Sequence, residues 1–158
     1  MDKLIVLSAQ YIIFISAITA VITTVFSKKT IRNNIIKLAI LSFIIAFLVT
    51  FIAGMSYYNA RPFVVENIEP LFPHKADNGF PSDHTLITLL LSSTVFVFRH
   101  KPGIILGILG VLTGVFRVLS NVHYPIDIIG SIIIALLATY IAWLILRRFD
   151  KNFKTPPE

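Results

Sequence analysis

The sequence predicts an all-α fold, a polytopic membrane bundle of about five transmembrane helices, and three observations carry that expectation. Of the 158 residues, 56% are hydrophobic and only 14% charged, and the mean hydropathy is +0.82. A water-soluble domain of that composition would present mostly hydrocarbon to its solvent. The apolar residues also gather into runs long enough to cross a bilayer. Finally, the cations sit in short clusters between those runs, so the net charge of +6 suits anionic lipid and topology better than nucleic acid. With no cysteine in the chain, a disulfide scaffold and a thiolate metal site are both excluded.

Five spans are expected, at about 4–26, 35–54, 83–98, 102–119 and 125–146. The first, with Lys3 at its start, has the outline of a signal peptide. However, "TTVFSKK" lacks a small-residue cleavage pattern and ends in basic residues, so it reads as a span. The third and fourth are the shortest and only "FRHKPG" separates them, which predicts a tight helical hairpin. No internal repeat is visible, and residues 1–158 read as one membrane-embedded domain. The tail "RRFDKNFKTPPE" reads as a fraying polar end.

Charge orients the bundle. Lys28, Lys29, Arg32 and Lys37, then Arg99 and Lys101, then Arg147, Arg148, Lys151 and Lys154 fall on one side of a five-span chain. The other side holds only Lys3, Arg61, Lys75 and Arg117. The positive-inside rule then puts the N-terminus outside and the C-terminus in the cytoplasm. It leaves Arg61, Lys75 and Arg117 on the outer side, where a second reason for them must be sought.

Nearly every group capable of chemistry lies on that same side. Arg61 follows the second span in "YYNARPF"; His74, Lys75, Asp77, Ser82, Asp83 and His84 occupy the next loop and the start of the third span. Arg117 is near the end of the fourth, and His123 and Asp127 flank the start of the fifth. In "NVHYPID", Pro125 suits the first helical position, and Asp127 falls in the first turn, within reach of a ring nitrogen of His123. Such a contact fixes the tautomer and frees the other nitrogen as nucleophile or base. The competing reading is a carboxylate that merely caps a helix beside an interfacial histidine.

"PSDHT" makes a matching arrangement. Pro81 breaks the loop, Ser82 is a good N-cap, and the unpaired N–H groups of the helix start form a ready anion site. His84 lies in the first turn, placed to give a proton to a leaving oxygen. Arg61 and Arg117 add two forked donors suited to phosphoryl oxygens. Taken singly, each of these is equally an ordinary helix cap or a lipid anchor.

Together, "ARP", "PSDH" and Arg117, five residues, His123, three residues, Asp127 resemble the three-part signature of the type 2 phosphatidic acid phosphatase superfamily. These are integral-membrane lipid phosphatases whose active-site design is related to that of vanadium haloperoxidases. The resemblance runs from about 54 to 130, and "FPSDHT" is most similar to the bacitracin-resistance branch, the undecaprenyl diphosphate phosphatases. It implies that His123 attacks phosphorus to form a phosphohistidine and that Asp127 orients it. His84 would protonate the departing oxygen and then activate water, while Arg61, Ser82 and Arg117 bind the phosphoryl oxygens. No cofactor or metal is implied, and no carboxylate cluster on that face resembles a magnesium site.

Three positions depart from the family pattern. Its first-motif lysine corresponds to Gly54, its serine before arginine to Phe116, and its second-motif glycine to Asp83. Lys75 is the expected substitute for the missing cation, with His74 and Asp77 as weaker candidates. The signature also begins after the second span rather than the third, one helix fewer than the six common in the family.

A site at helix ends on one face meets a phosphate at headgroup depth, which favours a lipid phosphate or diphosphate over a soluble ester. "PSDH" tilts the choice to undecaprenyl diphosphate; phosphatidylglycerophosphate and phosphatidic acid are the alternatives. A small transporter is a different class of reading, opposed by spans without charged residues near their centres. A catalytically altered scaffold is a third, raised by Gly54 and Phe116.

Overall fold

The computed structural model describes residues 2–154, and among them every regular element is a helix. The order is α1 (Asp2–Val25), α2 (Lys29–Ser56), α3 (Pro62–Val65), α4 (Asp83–Phe96), α5 (His100–Leu119) and α6 (Pro125–Phe149). Four of them, α1, α2, α5 and α6, are long and apolar enough to cross a membrane. Their outward faces are apolar: Phe14, Phe47, Phe51, Ile108 and Leu136 are all exposed, as lipid-facing side chains would be.

The helix at the third expected span differs from the other four. At about 1.5 Å per residue the 14 residues of α4 reach about 21 Å, short of the ~30 Å hydrocarbon layer. It is instead the central helix, packed against α1, α2, α5 and α6. Its buried residues include Thr85, Thr88, Ser92 and Thr94 as well as Leu86, Leu90 and Val95. Those hydroxyls are satisfied inside the bundle: Thr88 Oγ1 donates to His84 O, Thr94 Oγ1 to Leu90 O and Ser92 Oγ to Gly103 O. Back-bonding of this kind lets a polar sequence form a buried helix.

The expected α4–α5 hairpin is present. Arg99 N–H returns to Val95 O at 2.8 Å, and a Cβ at Gly103 would collide with the Phe96 backbone. Only glycine lets the two helices meet that closely.

Three apolar clusters stack along the bundle. At one end Ala9, Phe72 and Val122 pack with Val6, Leu71 and Phe116; Ala46, Leu86, Leu90, Ile134, Ala135 and Ala138 fill the middle. At the far end lie Ala20, Ile35, Leu38, Val95, Phe98, Leu106, Ala142 and Phe153. Phe153 corrects the expectation of a frayed tail. After α6 the chain folds back so that Phe153 stacks edge-on against Phe98 at 5.7 Å, Asn34 Nδ2 donates to Lys154 O, and Lys37 pairs with Asp150. An aromatic ring excluded from water overrides the polarity of its neighbours. Residues 155–158 of that tail lie outside the described residues.

Candidate active site

The segment after α2 is pinned at both ends. An isolated bridge joins Ala60 to Asn78, and Gly79 N–H donates to Asn59 O at 2.8 Å. Asn78 Oδ1 accepts the N–H groups of Asn59 and Phe80. This closure sets Arg61 at the cap of α3, before Pro62. Its side chain is buried, with Nη1 donating to Val122 O at 2.8 Å and lying 3.2 Å from His123 Nε2. The opposite edge of the guanidinium, Nε and Nη2, holds Asp77 Oδ1 at 2.8 Å.

Arg117 comes from the last turn of α5 and is 2% exposed. Its Nη2 is 2.7 Å from His74 Nε2 and 3.4 Å from His123 Nε2. The Phe72 ring lies 5.4 Å from the guanidinium carbon, a cation–π contact that orients the fork. Arg117 Nε is buried without a hydrogen-bond partner among the described residues. An orphaned charged donor is costly, and an anion at this point would satisfy it.

His123 stands between the two arginines. Nδ1–H donates to Asp127 Oδ2 at 3.2 Å, which leaves the Nε2 lone pair facing Arg61 and Arg117. Burial pushes the imidazole below the ordinary histidine range, partly offset by the Asp127 hydrogen bond, and the two arginines push it further down. The ring is therefore neutral at neutral pH, the state in which Nε2 keeps its lone pair. Asp127 is fully buried and held from three sides, by His123, by Tyr124 N–H at 2.9 Å and by Asn59 Nδ2 at 2.7 Å. Gly79 makes room for it, because a Cβ there would lie 3.1 Å from Asp127 Oδ2.

The start of α4 completes the group. Ser82 occupies the N-cap position, but its buried hydroxyl meets Thr85 Oγ1 at 3.2 Å and makes no capping bond. The side-chain cap expected from the sequence is thus absent. As a result the Asp83, His84 and Thr85 N–H groups have no partner among the described residues. His84 is half-buried in this first turn, close enough to Arg117, His123 and His74 to feel their charge. The Arg61 and Arg117 guanidinium groups, the His74, His84 and His123 imidazoles and the start of α4 thus converge on one small volume, with Asp77 and Asp127 behind Arg61 and His123.

Residues 35–151 match the PAP2 superfamily. The chain belongs to that superfamily. It is similar to undecaprenyl-diphosphatase BcrC of Bacillus subtilis (strain 168), 30% identical over 89% of this chain and 72% of the relative. A putative undecaprenyl-diphosphatase, YbjG of Escherichia coli (strain K12), is 31% identical over 90% of this chain and 74% of its own length. The fold is similar to that of LpxE in a crystal structure of the Aquifex aeolicus protein, with a TM-score of 0.69 and 20% identity. That match covers 89% of this chain and 84% of the other.

Within the PAP2 superfamily pattern, the departures have physical settings. Phe116 packs in the apolar cluster of Ala9, Phe72 and Val122, where a hydroxyl would gain nothing. Gly54 is exposed near the end of α2, with Asn78 Nδ2 3.9 Å from a Cβ built there. Asp83 is exposed, and its charge acts on Arg117. Lys75 is exposed, and its ammonium makes no hydrogen bond or ion pair among the described residues. The loop residues that meet the arginines are its neighbours His74 and Asp77.

Asn59 was not singled out in the sequence; its position two residues before Arg61 was the available signal. Asn59→Ala removes one of three donors to a buried carboxylate. Steady-state phosphate release should fall about tenfold, the equivalent of about 1.4 kcal/mol, with the protein still folded. Wild-type turnover would show that Asp127 needs no such support.

Proposed function

We propose that this PAP2 superfamily member is an integral-membrane lipid phosphatase acting on a lipid diphosphate, with undecaprenyl diphosphate as the favoured substrate. The observation that carries the proposal is the His123 Nε2 lone pair, 3.2 Å from Arg61 and 3.4 Å from Arg117, with Nδ1 tied to Asp127. The family match and the BcrC and YbjG relatives support the substrate class.

In the proposed reaction the arginine forks and the free N–H groups at the start of α4 bind the terminal phosphoryl oxygens. Ser82 is proposed as a further oxygen ligand. His123 Nε2 attacks the terminal phosphorus; the bridging P–O bond breaks, and the departing lipid monophosphate takes a proton from His84. Neutral His84 then draws a proton from water, whose oxygen attacks the phosphohistidine phosphorus. The N–P bond breaks, the electron pair returns to Nε2 and inorganic phosphate leaves. Asp127 keeps the ring oriented and stabilises its cationic forms. Lys75, exposed on the neighbouring loop, attracts the headgroup before it reaches the arginines, so Lys75→Ala is expected to raise KM with kcat unchanged. An unchanged KM removes it from the proposal.

The site is proposed to face the outer side. The N-terminal half of α1 packs beside the site through Ala9, and the basic clusters on the α1–α2 and α4–α5 connections and after α6 occupy the opposite end. A tag at residue 1 reachable only from the cytoplasm would overturn this orientation.

The deciding assay is phosphate release by purified protein from several lipid phosphates in the presence of chelator, with His123→Ala as control. Chelator-resistant release from a diphosphate lipid, lost in His123→Ala, is expected. Release from none of the lipids would leave a non-catalytic scaffold. The pH profile has a definite sign. His123 lies below its ordinary value of 6.5, so kcat should hold at neutral pH and decline as pH drops below 6.5 and the nucleophile is protonated. Burial and then Arg117 hold the free His84 imidazole at about 4, so its acid form belongs to the substrate complex, where the phosphoryl charge favours the proton, and kcat should decline at high pH as His84 loses it, giving a bell. A profile flat from pH 4 to 9 with chemistry limiting would contradict both roles.

A further inference from the structure

The loop between α3 and α4 brings in a histidine that neither proposed proton transfer nor the nucleophilic step uses. Leu71 N–H donates to Ser120 O at 3.2 Å and Phe72 is buried among Ala9, Val122 and Phe116. These contacts dock the loop on the end of α5 and fix His74 over Arg117. The 2.7 Å contact from Arg117 Nη2 to His74 Nε2 is shorter than the 3.4 Å one to His123. The His74 ring also stands edge-on to that of His123, with centroids 6.2 Å apart. His74 Nδ1, 3.3 Å from Lys75 O, carries the proton, so Nε2 accepts from the guanidinium.

A guanidinium and an imidazole stay this close only while the imidazole is neutral. The groups around His74 enforce that state: Arg61 from the cap of α3, Arg117 from α5, His123 from the α5–α6 connection and His84 from α4, with Asp77 on its own loop opposing them. Burial and then Arg61 hold His74 at about 4. A bound phosphate dianion reverses the sign of that field. It competes for the Arg117 donors, and its own charge favours a protonated neighbour.

We propose that His74 is a phosphate-binding residue of this site, exchanging its bond from Arg117 for a proton and donating Nε2–H to the phosphoryl group when substrate arrives. The inference rests on the lipid-phosphatase function proposed above. It supplies from the loop the positive charge that Gly54 lacks, with phosphate binding coupled to uptake of a proton from solvent.

Calorimetric titration of the detergent-solubilised protein with inorganic phosphate at pH 7, in two buffers of different ionisation enthalpy, tests it. Wild-type protein should take up a proton on binding. His74→Gln retains an acceptor for Arg117 but cannot become cationic, and His74→Ala retains neither. Both should bind phosphate about tenfold more weakly and take up one proton fewer than wild type. In turnover, KM for a lipid diphosphate should rise about tenfold with kcat within about threefold. Equal affinity and equal proton uptake in wild type and His74→Gln would overturn the proposal, since a purely structural His74 predicts that result; so would a lowered kcat at unchanged KM. The phosphatase function fails separately, if His123→Ala still releases phosphate, and the titration decides His74 in either case.

Discussion

His123→Gln should lower phosphate release by at least about 10⁴-fold, because it removes the nitrogen lone pair aimed between the two guanidinium groups. Glutamine keeps much of the volume of the ring, and Asp127 retains Tyr124 N–H and Asn59 as donors, so the fold should survive. Acid-labile, base-stable phosphate should be trapped on wild-type protein quenched during turnover and should be absent from the variant. A variant within tenfold of wild type would mean that water attacks phosphorus directly, with His123 as a bystander or a base that another group replaces.

Arg117→Lys is the second large effect, an expected loss of about 10²- to 10³-fold in kcat/KM despite conservation of charge. Arg117 Nη2 bridges His74 and His123 while Nε stays unpaired, so the fork presents donors along one edge. An ammonium places one charge at one point and lacks the planar face that lies over Phe72. The corresponding change at Arg61 is a less clean experiment, because Arg61 also holds Val122 O and Asp77, and its loss would loosen the loop. Activity of Arg117→Lys within about fivefold of wild type would mean that net charge, and not the geometry of the fork, binds the phosphoryl group.

Much of the bundle is legible in the sequence because its signals are local. Run length and hydropathy mark α1, α2, α5 and α6, since a bilayer demands internally bonded segments of fixed length. The His123–Asp127 pair was legible too: Pro125 starts the helix and the spacing of four does the rest. Local rules gave less at α4, whose apolar run, among the shortest in the chain, still suggested a span over about 83–98. Its length is decided by the corner at Val97–Arg99 and by helices packed on all sides of it. Serine preference for N-caps likewise misdescribed Ser82, where burial beside Thr85 diverts the hydroxyl.

By itself, then, the sequence determined the membrane bundle through hydropathy, pointed to the family through the resemblance of its motifs, and marked Arg61, His84, Arg117, His123 and Asp127 as candidate site residues through their spacing along the chain. Only the tertiary structure decided how the loop serves them. Asn59, His74 and Asp77 lie 68, 43 and 16 residues from the groups they contact, and no periodicity connects positions that far apart. Lys75 looked the natural cation by charge, yet the docking of Leu71 and Phe72 on the end of α5 leaves it exposed and brings His74 to Arg117. Burial of Phe72, with Leu71 packed beside it, decided which neighbour meets Arg117.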